Sequence, residues 1–216
     1  MITVKQFAFN PFQVNTYVLS DETKECIIID PGMQGKLEED ELTDYIDANG
    51  LKPVLLLNTH AHIDHIVGNH FVAEKYNLQL NTHKDCVGFL TNAAAYADSF
   101  GLKIGTVKTI DNFIGEEEVI KFGNSTIQVL YTPGHADGSL CFYSEKDDFV
   151  ITGDVLFNQS IGRTDLPTGN YDLLQQSIWE KLFTLPDRTT AWPGHGPETN
   201  IGFEKLHNPF VAIGKE

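Results

Sequence analysis

The segment Thr59-His60-Ala61-His62-Ile63-Asp64-His65 places four side chains able to hold a metal within six residues. On a helix His60 and His62 would point in nearly opposite directions, whereas in extended chain residues two apart face the same side. Both imidazoles reach one cation only if the motif begins at a strand end. Asp64 and His65 are adjacent, so they converge on a second point if the chain turns there into a helix. A single histidine is most often a hydrogen-bonded structural residue; it is the conjunction that points to metal. Three further stretches run an apolar strand into a tight turn that delivers one ligand each: Thr132-Pro133-Gly134-His135, Thr152-Gly153-Asp154 and Trp192-Pro193-Gly194-His195. Alone, Pro-Gly-His reads as a plain turn. With the cluster, the set is five imidazoles and two carboxylates, too many for one tetrahedral zinc and suited to two metals sharing a bridging carboxylate and a bridging solvent. The expected cofactors are two divalent ions, zinc foremost, with iron and manganese suited to the same ligands.

Elements must place these turns. Apolar runs at Ile2 to Phe9, Val14 to Leu19, Cys26 to Ile29 and Val54 to Leu57, bounded by Asn, Asp, Pro or Gly, read as strands. So do Val119 to Phe122, Thr126 to Tyr131, Leu140 to Tyr143, Phe149 to Thr152 and Thr189 to Trp192. Lys36 to Ala48 carries Leu42, Tyr45 and Ile46 at helical spacing and stops at Asn49-Gly50. Further helices are expected at His65 to Tyr76, His83 to Phe100, Tyr171 to Phe183 and Gly202 to His207. Strands come in runs with helices after them, the order of two sheets packed face to face and covered by helices. A single parallel sheet would instead need helices between nearly all strands. Without a repeat or linker, one domain over residues 1–216 is expected.

The chain has 216 residues, 41% hydrophobic, with 15 Lys and Arg against 30 Asp and Glu and a net charge of −15. That is enough apolar residue for a sizeable core. The acidity leaves no basic stripe to release counterions, so no nucleic-acid partner is expected. The longest apolar run, Ala93 to Ala97, is five residues, against roughly 20 for a membrane-spanning helix, so no membrane association is expected. The start lacks the apolar stretch of a secretory signal. Cys26, Cys86 and Cys141 cannot all pair within one chain, and reduced thiols in the cytoplasm fit best. Cys26 and Cys141 lie in apolar runs and read as buried hydrophobes. His70, His83 and His207 read as surface or structural residues, His83 opening the third helix.

The motif order resembles the metallo-β-lactamase superfamily, and more closely its glyoxalase II (hydroxyacylglutathione hydrolase) branch. Ser160-Ile161-Gly162-Arg163-Thr164-Asp165-Leu166-Pro167, and Pro193-Gly194-His195-Gly196-Pro197 followed by Asn208-Pro209-Phe210, resemble the short single-domain hydrolases of that branch. The resemblance implies an α+β fold, a four-layer αββα sandwich. It implies one metal on His60, His62 and His135, a second on Asp64, His65 and His195, and Asp154 bridging, with Asp64 also orienting the nucleophile. The implied reaction is thioester hydrolysis of a small-molecule substrate such as S-lactoylglutathione. Glyoxalase II proper has a C-terminal helical region for glutathione, whereas 21 residues follow His195 here, so the chemistry is supported more firmly than the thiol carrier. Arg163 and Asp165 could orient substrate or loops, or form an ion pair that pins a loop. Persulfide dioxygenases, which share a Gly-Arg-Thr-Asp segment, would instead bind one iron through His60, His135 and Asp154. The best-known zinc β-lactamases carry Cys where this chain has Asp154, and the net charge disfavours the nuclease members. A purely structural metal site is poorly served by open coordination positions.

Overall fold

The computed structural model describes residues 1–213. They contain two six-stranded sheets rather than one parallel sheet. Two compact units are distinguished: Met1–Ile114 with Lys121–Thr126, and residues 115–120 with those from Ile127 on. No helix among the described residues is long and apolar enough to cross a membrane.

The first unit holds one whole sheet, in the order β1 (Thr3–Phe9), β2 (Val14–Ser20), β3 (Glu25–Ile29), β4 (Lys52–Leu57), β5 (Leu80–Thr82) and β6 (Asn112–Phe113). β1 to β3 pair antiparallel, and β3 to β6 run parallel. The parallel steps need crossovers, and α1 (Lys36–Ala48) supplies the first, burying Leu42 and Ile46. β2 is buried along its whole length, as a central strand covered on both faces is. Each fully buried Val, Leu or Ile contributes roughly 1.5–3 kcal/mol by leaving water. The helix expected from His65 to Tyr76 is two, α2 (Ile63–Ile66) and α3 (Asn69–Tyr76). The break falls at Gly68, whose N–H leaves the helical ladder to donate to the Pro31 carbonyl at 2.8 Å. The third expected helix is likewise divided, into a 3₁₀ turn Lys84–Cys86, α4 (Val87–Thr91) and α5 (Ala93–Phe100). His83 opens it as expected, its ring accepting from the Asp85 N–H.

The second sheet runs β14 (Thr199–Asn200), β13 (Thr190–Pro193), β10 (Phe149–Gly153), β9 (Leu140–Ser144), β8 (Ser125–Tyr131) and β7 (Val119–Phe122). Within it β10 and β13 run parallel. A small hairpin, β11 (Leu156–Phe157) with β12 (Ser160–Ile161), follows β10. α6 (Tyr171–Ser177) gives way to a π-helical turn, Ile178–Leu182, closed by the Phe183 N–H on the Ile178 carbonyl. Leu174, Ile178 and Leu182 enter the second unit's core beside Val150, Val155, Ala191 and Ile201 of α7 (Ile201–His207).

Asp21, in the turn between β2 and β3, accepts hydrogen bonds from the Thr23 N–H and hydroxyl, the Asn124 N–H and the Ser125 hydroxyl. Burial pushes its pKa up, but these bonds outweigh it and hold the carboxyl at about 2, below the ordinary 3.8. Its contribution is therefore complete above pH 4 and lost as the pH falls toward 2. The melting temperature is expected to fall across that window more steeply in the natural chain than in Asp21→Asn.

Candidate metal centre

β4 ends at Leu57, and Asn58-Thr59 carry the extended chain to His60 and His62 before α2 begins. His60 Nε2 and His62 Nδ1 stand 3.1 Å apart. Two nitrogens bonded to one tetrahedral zinc at 2.0–2.1 Å would be separated by roughly 3.4 Å, so the pair is poised for a shared cation. His62 is the N-cap of α2, and the helical turn brings Asp64 Oδ2 to 3.7 Å from His65 Nε2. The strand-end turn expected from the sequence is the one observed.

Behind these candidate ligands sits a residue that the sequence reading missed. Asp30 follows β3, is 1% exposed and adopts φ 50°. One of its oxygens accepts from the Thr59 N–H at 2.7 Å and Asn58 Nδ2 at 3.3 Å. The other accepts from the Thr59 hydroxyl at 2.6 Å and His65 Nδ1 at 3.0 Å. A carboxylate can only accept, so the His65 proton is on Nδ1 and the Nε2 lone pair faces Asp64. The Thr59 hydroxyl spends its one proton on Asp30, so in its 3.1 Å contact with His60 Nδ1 the imidazole donates. That puts the His60 lone pair on Nε2, the atom able to ligate. The only sequence signal was an Asp after the Cys26 to Ile29 run, the commonest of strand endings.

In the second unit His135, Asp154 and His195 each follow a strand, β8, β10 and β13. Gly134 and Gly153 adopt φ 129° and 49°, which L side chains rarely take, and so allow the tight turns. Asp154 Oδ2 lies 3.6 Å from His135 Nε2 and 3.6 Å from His195 Nε2. One carboxylate oxygen thus faces two imidazole nitrogens, an arrangement open to a shared cation ligand. His135 Nδ1 donates to the Arg163 carbonyl at 2.8 Å, which puts its lone pair on Nε2. The Gly194 N–H donates to the Gly153 carbonyl at 2.7 Å, joining the two turns. The donor set, imidazoles with carboxylates and every fixed tautomer presenting Nε2, fits a divalent cation.

Arg163 and Asp165 pair with each other in a two-pronged salt bridge, 2.7 Å in both arms, with both side chains largely exposed. The Arg163 hydrogen bond holds the Asp165 carboxyl at about 2. What this segment gives the site is backbone: the Arg163 carbonyl on His135, and Gly162. A Cβ on Gly162 would collide with the Asp154 carbonyl and stand 2.9 Å from His135 Nδ1. Gly162→Ala is therefore expected to displace both ligands and weaken metal binding by about 10- to 100-fold, read by cobalt titration, with the fold retained by circular dichroism.

All three cysteines are buried thiols outside any disulfide. Burial pushes the thiols of Cys26 and Cys141 to about 12 and that of Cys86 to about 11, so none is a reactive nucleophile.

A family model of the metallo-beta-lactamase superfamily matches residues 9–195. The chain belongs to that superfamily. Its metallo-beta-lactamase fold is the mixed α and β architecture expected, with the strands in two sheets. The chain is 38% identical over 209 residues to the probable metallo-hydrolase YqgX of Bacillus subtilis, covering 96% of both. It is 34% identical over 202 residues to the hydroxyacylglutathione hydrolase GloC of Haemophilus influenzae, covering 93% of both. Among solved structures, the BLEG-1 B3 metallo-beta-lactamase superposes with a TM-score of 0.90 at 38% identity, over 98% of this chain and 100% of that one.

Proposed function

We propose that this protein is a metal-dependent hydrolase of thioesters, of which S-lactoylglutathione is the type substrate. The observation that carries the reading is the single oxygen of Asp154 facing both His135 and His195 at 3.6 Å, which suits a shared ligand of two cations. In this reading His60, His62 and His135 hold one metal, Asp64, His65 and His195 the other, and Asp154 both. When bound, the two cations supply a water acidic enough to ionise near neutral pH and polarise the acyl carbonyl. The chain's own residues do the rest. Asp30 and Thr59 hold His65 and His60 in the tautomers that ligate, and the Arg163 carbonyl does so for His135. Asp64 orients the attacking water through its carboxylate. A thiolate leaves without a proton, because thiols ionise near 8.5, so no separate general acid is needed. An amine is the poorer leaving group, so thioesters ask less of the site than the lactams that the name of BLEG-1 suggests. The resemblance to GloC supports the same choice.

The test is hydrolysis of S-lactoylglutathione by metal-replete protein. Turnover that vanishes in a His60→Ala, Asp64→Ala double variant is expected. Absence of turnover in protein shown to hold two metals overturns the thioester reading. Oxygen uptake with glutathione persulfide would then identify a dioxygenase, and opening of a chromogenic cephalosporin a lactamase.

A further inference from the structure

Glu204 lies on α7, in a part of the chain that contributes no proposed ligand, and it is fully buried. Its carboxylate accepts from three separate places. The Gln159 N–H lies 3.1 Å from each oxygen, the Thr199 hydroxyl 2.5 Å from Oε1, and Asn208 Nδ2 2.7 Å from Oε2. All of these donors are neutral, an environment that tolerates a buried carboxylate only because its lone pairs are met.

The donors belong to the loops behind two proposed ligands. Gln159 is in the turn of the β11–β12 hairpin, and Asn208 also donates to the Ser160 carbonyl at 3.1 Å. That hairpin springs from the Asp154 turn, where the Val155 N–H donates to the Thr152 carbonyl. It returns at Gly162, packed on the Asp154 carbonyl. The Phe157 ring in the hairpin stands edge-on to His195, centroids 6.3 Å apart. Thr199 closes the loop that leaves His195, pairing with Ala191 of β13.

We infer that Glu204 is a positioning residue: one buried carboxylate locks the hairpin after Asp154 and the loop after His195 into a single frame, and so fixes these two ligands relative to each other. The inference rests on the proposed reading of Asp154 and His195 as ligands. Both oxygens of the carboxylate receive donors. In Glu204→Gln an amide NH₂ turned toward Asn208 meets another NH₂, donor against donor, and one turned toward Thr199 forces that hydroxyl to accept and leaves its proton without the carboxylate that held it.

The experiment compares the natural chain with Glu204→Gln, first free of metal by amide hydrogen exchange and then by titration with cobalt(II) followed in the visible spectrum. Exchange at least tenfold faster at both Gln159–Gly162 and Thr199, with β2 unchanged, is expected. So is cobalt affinity at least tenfold weaker, with an altered spectrum. Acceleration in one segment only, acceleration throughout the chain, or unchanged cobalt binding overturns the inference. Asp154→Ala in the same titration separates the two readings. If it binds cobalt like the natural chain, the ligand reading fails, and the exchange data still decide whether Glu204 locks both loops. If Glu204→Gln does not fold, Thr199→Val removes one hydroxyl from the His195 side alone. It is then expected to speed exchange near residue 199 and weaken cobalt binding, and unchanged values in both overturn the inference.

Discussion

Asp154→Ala is expected to lower kcat/KM by at least about a thousandfold, roughly 4 kcal/mol of transition-state stabilisation. The lost oxygen is the one 3.6 Å from both His135 and His195, so no other atom replaces it on either side. Metal content should fall below two equivalents by elemental analysis, because two like-charged ions near each other need the anionic ligand between them. Stability should change little by comparison: the side chain is 12% exposed and lies outside the second unit's apolar core. Full metal content with normal turnover in this variant would sink the bridging assignment.

Asp30→Asn should have the second largest effect, and it acts through the hydrogen bonds that Asp30 makes to Thr59 and His65. The amide can satisfy the donors at one of the two oxygens but presents its own N–H groups to the Thr59 hydroxyl and His65 Nδ1 at the other. The imidazole can relieve that clash by moving its proton to Nε2, which abolishes it as a ligand. Metal affinity is expected to drop by about 10- to 100-fold, and the ring's ¹⁵N shifts should report the changed tautomer. The metal-free protein should lose about 2–4 kcal/mol by denaturant unfolding, since buried donors are left without acceptors. Asp30→Ala strands all of them and should cost more. If Asp30→Asn keeps cobalt affinity and stability, the carboxylate is not what orients His65.

The proposed ligands stand out in the sequence because their chemistry is rare in combination. Four donors in six residues, each later turn marked by glycine, left few alternatives, and the strands that deliver them were bounded by strong breakers. The supporting residues were not legible. Asp30, Glu204 and Asn208 are ordinary residue types at ordinary places, and only folding shows that their oxygens and amides face donors and carbonyls more than 25 residues away. The short pieces β5, β11, β12 and β14 also escaped the sequence reading, being two or three residues long. Such strands exist because a neighbour offers a ladder edge, as β4 does for Leu80, rather than through a periodicity of their own. The helix breaks at Gly68 and in the turn after Ser177 depend likewise on where a single N–H finds its acceptor.

β10 and β13 lie side by side and point the same way, with Asp154 and His195 just past their ends. Between neighbouring parallel strands the pitch is about 4.8 Å whatever the side chains. The gap between these two ligands is therefore ruled off by main-chain hydrogen bonds, as the Gly194 to Gly153 bond confirms at the turn itself. The exposed side chains between them, such as those of the Arg163–Asp165 pair, are free of that ruler. They can change while the backbone behind them and the two donors keep their spacing, so the surface that meets a substrate can drift without disturbing the chemistry it serves.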